Sequence, residues 1–180
     1  MGLPANLSES FSYNYALLKP AEIVYKNEKI GEVNSLFLKN LLTIGGKTFH
    51  FRYTNLFSFD RGAEIADESG HVTASIMIKQ VLSEIVKLNF PETKITIGNK
   101  VFARTGTSIP QVLSDIAAKG SHVGVYVNDS SKNPAFASYK QLENLLKVNC
   151  HYDPAELSLQ ESVFFAVLVI KLFYEGTHSR

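Results

Sequence analysis

The C-terminal segment 163–174 constrains the fold more than any other part of this 180-residue sequence, because eleven of its twelve residues are apolar and only Lys171 is charged. The sequence Asp153-Pro154-Ala155-Glu156 ahead of it combines a capping aspartate, a proline suited to the first helical position and an acid in the first turn. Gly176 follows where a helix would end. We therefore predict a helix over about 154–175, with a buried strand as the alternative that the β-branched content permits.

A helix that is apolar on every side has to be surrounded by protein or by lipid. A membrane-spanning helix needs about 20 apolar residues, and this run is shorter and contains a lysine. We therefore predict that the segment is buried in protein. The N-terminus has neither the basic segment nor the apolar run of a secretory signal, so we expect a soluble cytoplasmic protein with no transmembrane segment.

Most of the chain before this helix is predicted to form short antiparallel strands. Between positions 48 and 53, Phe and Tyr alternate with Thr, His and Arg, and the segment 72–79 has the same period of two. A period of two with one polar face is typical of antiparallel sheet. Turn signals separate the strands, namely Asn27-Glu28, Gly45-Gly46, Asp67-Glu68-Ser69-Gly70 and Gly98-Asn99.

Closing these strands into a barrel around the helix would bury every side of the helix and remove the exposed sheet edges. An eight-stranded barrel is filled by its own side chains, so a barrel that encloses a helix needs more strands. We predict a mainly β fold in a single domain of residues 1–180. It is a closed antiparallel barrel of about 12 strands over about 12–152, around a hydrophobic central helix over about 154–175.

Three segments have less regular patterns. The segment 108–118 predicts a short helix or turn that begins near Pro110, and Val86, Leu88 and Phe90 predict the apolar face of a strand. The segment 141–152 is ambiguous, since its first half suits a helix and 147–151 suits a strand.

The composition excludes several classes of function. There are 18 Lys and Arg against 17 Asp and Glu, which gives a net charge of +1. Binding nucleic acid requires a concentrated positive field, so no nucleic-acid partner is expected. The single cysteine, Cys150, excludes an internal disulfide and a metal site built from cysteines.

No residue pattern predicts a catalytic site, a cofactor or a metal. Cys150 and His151 are neighbours on a predicted strand, so their side chains point to opposite faces, and we expect an inert thiol. His50 and His71 lie on predicted polar faces without the further ligands that a metal site needs. The run Ile44-Gly45-Gly46-Lys47-Thr48 lacks the spacing of a phosphate-binding loop and predicts a hairpin.

Four basic residues are predicted on the outer surface of the barrel, interleaved with aromatic residues: Lys39, Lys47, Arg52 and Lys79. They are candidates for contacts with anionic lipid headgroups or with single-stranded nucleic acid. Since the net charge is only +1, a solvated barrel exterior is the simpler interpretation of this group.

The order of many β-hairpins followed by a hydrophobic C-terminal helix resembles the tubby C-terminal-like superfold of tubby, LURP-one-related and phospholipid scramblase proteins. The sequence Phe57-Ser58-Phe59-Asp60 and the acidic-Gly hairpin of 63–76, followed by Lys79, are similar to the LURP-one-like pattern. The resemblance spans about 15–174 and implies a barrel around the helix and a link to lipid. The chain lacks the palmitoylated cysteines and acidic calcium segment of scramblases and any motif of tubby's phosphoinositide pocket, so no functional residue is carried over.

Three hypotheses for function follow. The leading one is a non-enzymatic intracellular module that binds a partner or associates with an anionic lipid surface. The second is a small-ligand carrier or an enzyme with a pocket at one end of the barrel, lined by His122, Tyr126 or His151. The third is a protein-interaction scaffold.

Overall fold

The computed structural model describes residues 3–16, 18–36, 39–54, 60–79, 92–105, 121–141, 144 and 146–174. Within these residues the chain forms twelve strands and then one helix. The strands are β1 (Glu9–Asn14), β2 (Ala21–Tyr25), β3 (Glu28–Asn34), β4 (Leu41–Ile44), β5 (Lys47–Thr54), β6 (Arg61–Ala66), β7 (Val72–Lys79), β8 (Glu92–Ile97), β9 (Lys100–Arg104), β10 (Ser121–Asn128), β11 (Pro134–Gln141) and β12 (Lys147–Tyr152). The helix, α1, spans Leu159–Val169 and continues as a π-helical turn over Ile170–Tyr174.

Each strand pairs antiparallel with the next one in the sequence, and the pairing of β1 with β12 closes the sheet into a barrel. The closing register runs from Glu9 opposite Tyr152 to Asn14 opposite Lys147. The predicted mainly β fold, a closed antiparallel barrel of about 12 strands with a C-terminal helix, is confirmed.

Short turns set this up-and-down order. Gly45 and Gly46 have φ angles of 58° and 73° and join β4 to β5, as the sequence predicts. Lys26 and Asn27, with φ angles of 50° and 64°, join β2 to β3 one residue earlier than predicted. Both turns have two successive residues at positive φ, which matches the right-handed twist of the flanking strands.

The predicted start of the helix is wrong. The helix begins at Leu159, because Ser158 and Glu161 form a reciprocal capping box in which the Glu161 N–H donates to Ser158 Oγ at 3.1 Å and the Ser158 N–H donates to Glu161 Oε2 at 2.9 Å. The residues 153–156 form a separate turn, in which the Asp153 carboxylate accepts from the Ala155 N–H at 2.9 Å. Asp153 and Pro154 therefore start a turn, and the capping box of Ser158 and Glu161 starts the helix.

The predicted burial of the helix is confirmed. Every residue from Ser162 to Val169 is buried. The ring of Phe165 packs against aromatic rings from three strands, with centroids 5.3 Å from Phe102, 5.1 Å from Tyr126 and 4.4 Å from Phe136. On another side of the helix, Phe164 packs against Phe49 of β5, with 4.8 Å between the ring centroids. Contacts with strands on different sides explain why this helix has no polar face.

Some predicted elements lie outside the described residues. They are the helix or turn over 108–118, the strand face of Val86, Leu88 and Phe90, the end of the helix at Gly176 and most of the first half of 141–152. The second half of that last segment is confirmed as a strand, β12.

The helix runs through the barrel from one end to the other. At the entry end, which carries the turns at 45–46, 67–70 and 98–99, Lys100 Nζ lies 3.1 Å from Glu161 Oε2 in the first turn of α1. At the opposite exit end, Lys171 donates to Ser35 Oγ.

A polar network fixes the chain at the entry end just before the helix begins. The Glu156 carboxylate accepts hydrogen bonds from Asn128 Nδ2 at 2.6 Å, Ser131 Oγ at 2.8 Å and Asn133 Nδ2 at 3.2 Å. Its main-chain oxygen accepts from Lys100 Nζ at 2.9 Å. Partial burial opposes ionisation of this carboxylate, but the hydrogen bonds outweigh it and lower the pKa of Glu156.

Replacing Leu168 with Asp should prevent folding. Leu168 is fully buried, and an unpaired buried charge costs several kcal/mol against a total stability of about 5–15 kcal/mol. Thermal unfolding followed by circular dichroism should show no cooperative transition for Leu168→Asp. The matched control is Leu146→Asp, at a leucine that is 65% exposed, and it should melt like the parent chain. A cooperative melt of Leu168→Asp would contradict burial of the helix.

Replacing Glu156 with Gln should lower the free energy of unfolding by about 1 kcal/mol at neutral pH. The reason is that the NH₂ group of the new side-chain amide would face the hydrogen-bond donors that the Glu156 carboxylate now accepts from. The folded-state pKa of Glu156 is lowered, so its stabilisation is present above the ordinary pKa of 4.5 and is lost as the pH falls through the folded-state pKa. Urea unfolding at decreasing pH should therefore show parent and Glu156→Gln converging. Glu28→Gln, at an exposed acid of the same end, should match the parent at neutral pH. A difference between parent and Glu156→Gln that stays constant in acid would refute this role.

Candidate functional site

The structure does not bring the four predicted basic residues together. Lys47 lies at the entry end, beside the turn from β4 to β5. Lys39 and Lys79 lie at the exit end, where Lys39 precedes β4 and Lys79 is the last residue of β7. Arg52 lies on the outer wall between the two ends and forms an ion pair with Glu64 on the neighbouring strand β6. All four side chains are exposed, but they do not form one continuous surface.

The residues predicted to line a pocket at one end of the barrel are also separated. Tyr126 is only 1% exposed and packs against Phe165 in the core. His151 faces outward and stacks on Tyr139, with ring centroids 5.6 Å apart and an interplanar angle of 11°. His122 pairs with Lys140 between β10 and β11, and its side chain lies outside the described part of the structure.

Cys150 is buried and faces the barrel interior, while His151 on the same strand is half-buried on the outer side. Burial raises the pKa of the Cys150 thiol, so the reactive thiolate is disfavoured. The prediction that Cys150 and His151 point to opposite faces of the strand is confirmed, and Cys150 is fully buried.

Metal-ligating side chains do not converge in the part of the chain that the structure describes: no group of three or more His, Cys, Asp or Glu is placed to hold an ion. Within the same described residues, no helix is long and apolar enough to cross a membrane.

Two leucines are exposed in neighbouring connections at the exit end. Leu18, in the connection from β1 to β2, is 82% exposed, and Leu146, just before β12, is 65% exposed. The connections touch, because the Tyr15 N–H donates to the Leu146 carbonyl oxygen at 2.7 Å. Each leucine is followed directly by a lysine. We call the four residues Leu18, Lys19, Leu146 and Lys147 the exit rim.

The backbone at Leu18 is unusual, because its φ angle is +57°. A bulky side chain in this left-handed region costs about 1 kcal/mol or more, and Gly or Asn is the ordinary choice there. The side chain gains nothing from burial in compensation. Fold stability therefore does not explain why leucine occupies this position.

The described charges are sorted between the two ends. The exit end carries mainly basic residues, with Lys19, Lys39, Arg61, Lys79, Arg104, Lys140, Lys147 and Lys171 against Glu22, Asp60 and Glu92. The entry end is mainly acidic, with Glu9, Glu28, Asp67, Glu68, Asp129, Asp153, Glu156 and Glu161 against Lys26, Lys29, Lys47, Lys100 and Lys132. A net charge of +1 thus conceals an asymmetric distribution.

Cations also line the inside of the exit end, each held against the barrel. The Arg104 guanidinium lies 5.4 Å from the ring centroid of Phe173, and Lys140 Nζ lies 4.8 Å from that of Tyr15. Lys171, 3% exposed, donates to Ser35. These contacts combine favourable cation–π attraction with a positive potential behind the exit rim.

The entry end contains a cleft of about 530 Å³ between two hairpin turns and the start of α1. The turn from β4 to β5 contributes Gly46, Lys47 and Thr48, and the turn from β6 to β7 contributes Asp67, Glu68 and Ser69. Phe49, Thr73 and Gln160 complete the lining. Opposite charges thus line a single cleft.

One wall of this cleft is held rigidly. Asp67 Oδ1 accepts hydrogen bonds from the Ser69 N–H at 2.9 Å, from Ser69 Oγ at 2.6 Å and from the His71 N–H at 3.0 Å. The bond from the Ser69 hydroxyl does most to lower the pKa of Asp67, so this carboxylate stays ionised. Behind it, Phe49 packs against Phe164 of the helix at 4.8 Å between ring centroids.

Sequence reasoning missed both of these features. Leu18 and Leu146 lie in connections, and a leucine between strands gives no sign of whether it is buried. The cleft joins residues more than a hundred positions apart, 46–49 and Gln160. The run at 44–48 and the turn at 67–70 were both correctly predicted as parts of hairpins. That the two turns face a common cleft follows only from the strand register.

Cys150 should be unreactive in the folded protein, because it is fully buried and its pKa is raised. With a thiol-specific chromogenic reagent, labelling at neutral pH should proceed no faster than global unfolding and become immediate in denaturant. The chain has a single cysteine, so the signal is unambiguous. Rapid labelling without denaturant would show that the barrel opens locally beside β12.

Comparison of the sequence with models of known protein families, with curated proteins and with solved structures found no match. The resemblance to the tubby C-terminal-like superfold therefore stays a prediction from the sequence.

Proposed function

We propose that this chain is a non-enzymatic intracellular module that associates reversibly with an anionic membrane surface through the exit rim. The observation that carries the proposal is the pair of exposed leucines, Leu18 and Leu146, each next to a lysine at the basic end of the barrel. The expected location is the cytoplasm, because the cytoplasmic leaflet is rich in anionic lipids.

The magnitudes favour weak, reversible binding. Burying one leucine side chain contributes about 1.5–3 kcal/mol, and each lysine close to an anionic surface contributes about 1 kcal/mol. Two leucines with Lys19 and Lys147 nearby therefore provide several kcal/mol, with Lys39 and Lys79 adding attraction at the same end. Of the four basic residues singled out in the sequence, Lys39 and Lys79 lie at this end, whereas Lys47 and Arg52 lie elsewhere on the barrel.

The conformation of Leu18 supports the same function. A leucine at a φ angle of +57° destabilises the folded protein through backbone strain, and at 82% exposure it gains no burial in return. Contact with a membrane would remove the apolar surface of this leucine from water. The helix-filled interior gives little support to transport through the lumen, so the outer surfaces are where we expect binding.

Flotation with lipid vesicles tests the proposal. The chain should float with vesicles of phosphatidylcholine and phosphatidylserine, and added salt should reduce the bound fraction. Leu18→Asn and Leu146→Asn should each lower the partition constant about tenfold or more. Leu18→Asn should also melt at the same or a higher temperature than the parent, because Asn tolerates positive φ.

The matched control is Val72→Asn, since Val72 is an exposed apolar residue, 38% accessible, near the entry end. It should bind vesicles like the parent chain. No flotation with the anionic vesicles, or an equal loss of binding in Val72→Asn, would reject the proposal.

A further inference from the structure

The cleft at the entry end combines a cation with two carboxylates that do not neutralise each other. Lys47 forms no ion pair with Asp67 or Glu68 in the described part of the chain, although all three line the same cleft. Elsewhere on the surface, opposite charges on neighbouring positions do pair, as in Lys29 with Glu32 at 2.8 Å and Lys132 with Asp129 at 2.7 Å. Charges that face a common space without pairing are available to a ligand.

The remaining polar groups add donors and acceptors of both kinds. Gln160, in the first turn of α1, lines the cleft with its amide, and Thr48 contributes a hydroxyl. Asp67 uses Oδ1 for its three internal hydrogen bonds, so its other oxygen accepts nothing from within the turn. The volume of about 530 Å³ lies within the range of small-ligand sites.

This charge pattern discriminates among ligand classes. A metal ion is disfavoured, because Lys47 repels it and only two carboxylates are present, and a simple anion is disfavoured by those same carboxylates. A ligand that carries both an ammonium and a carboxylate satisfies both sides with charge-assisted hydrogen bonds.

We propose that the entry-end cleft binds a small zwitterion of amino acid or short peptide type, with its ammonium group toward Glu68 and Asp67 and its carboxylate toward Lys47 and Gln160. The turn that Asp67 organises and the ring of Phe49 against the helix hold this site in place before the ligand arrives. The site lies at the opposite end of the barrel from the exit rim, so it is separate from the proposed membrane contact.

Three probes of nearly equal size test this assignment. Triglycine carries both charges, N-acetyltriglycine only the negative one and triglycinamide only the positive one. In a titration followed by amide chemical shifts, triglycine should bind with a dissociation constant on the order of 1 mM and about tenfold more tightly than either capped probe. The shifts should concentrate at Gly46, Ser69 and Gln160.

Two variants identify the role of each charge. In Lys47→Gln, triglycine should bind about tenfold more weakly and no better than triglycinamide. In Glu68→Gln, triglycine should bind no better than N-acetyltriglycine. Lys132→Gln removes the same charge at another turn of the entry end and should bind triglycine like the parent.

Thermal unfolding checks that each variant is folded, and vesicle flotation of the two cleft variants should be unchanged. Equal affinity for all three probes, absence of any shift with triglycine, or full affinity in Lys47→Gln and Glu68→Gln would overturn the assignment. A change in vesicle binding would instead show that the two ends of the barrel are not separate, which also contradicts it.

Discussion

The packing of Phe165 against aromatic side chains of three neighbouring strands is the contact on which the rest of the structure depends. Phe102, Tyr126 and Phe136 come from three strands and all contact this one helical residue. A helix that needs apolar contacts on every side cannot rest on one face of an open sheet. The closed barrel, its large number of strands and the position of the chain's C-terminal part all follow from that need.

A filled barrel leaves its two ends and its outer wall as the places where function can reside. Among the described residues, the ends have opposite chemistry: the exit end is mainly basic and exposes Leu18 and Leu146, while the entry end is mainly acidic and contains the mixed-charge cleft. The helix also separates them, since its first turn lines the cleft and its last turn lies beneath Arg104. A module with a membrane contact at one end and a small-molecule site at the other is consistent with this division.

The architecture could be predicted from the sequence because it depends on strong, repeated signals: a period of two in the strands, glycine pairs in the turns and a segment with eleven apolar residues in twelve. The start of the helix could not be predicted, because two capping signals, at Asp153 and at Ser158, lie five residues apart. Only the competition between a turn and a helix at 153–156 decides that the helix begins after Ser158. The candidate sites were harder still. Their residues meet only through the barrel register, which is why Lys47 and Lys79 fell into one predicted group and lie at opposite ends.

Native-state hydrogen exchange can show whether the helix is an integral part of the barrel core. The amides of 164–169 in α1 and the slowest amides of β7 and β8 should exchange only through global unfolding, with the same free energy and the same dependence on denaturant. Exchange of the α1 amides at a clearly lower free energy, while the strands stay protected, would contradict this prediction. The barrel would then be stable without its helix.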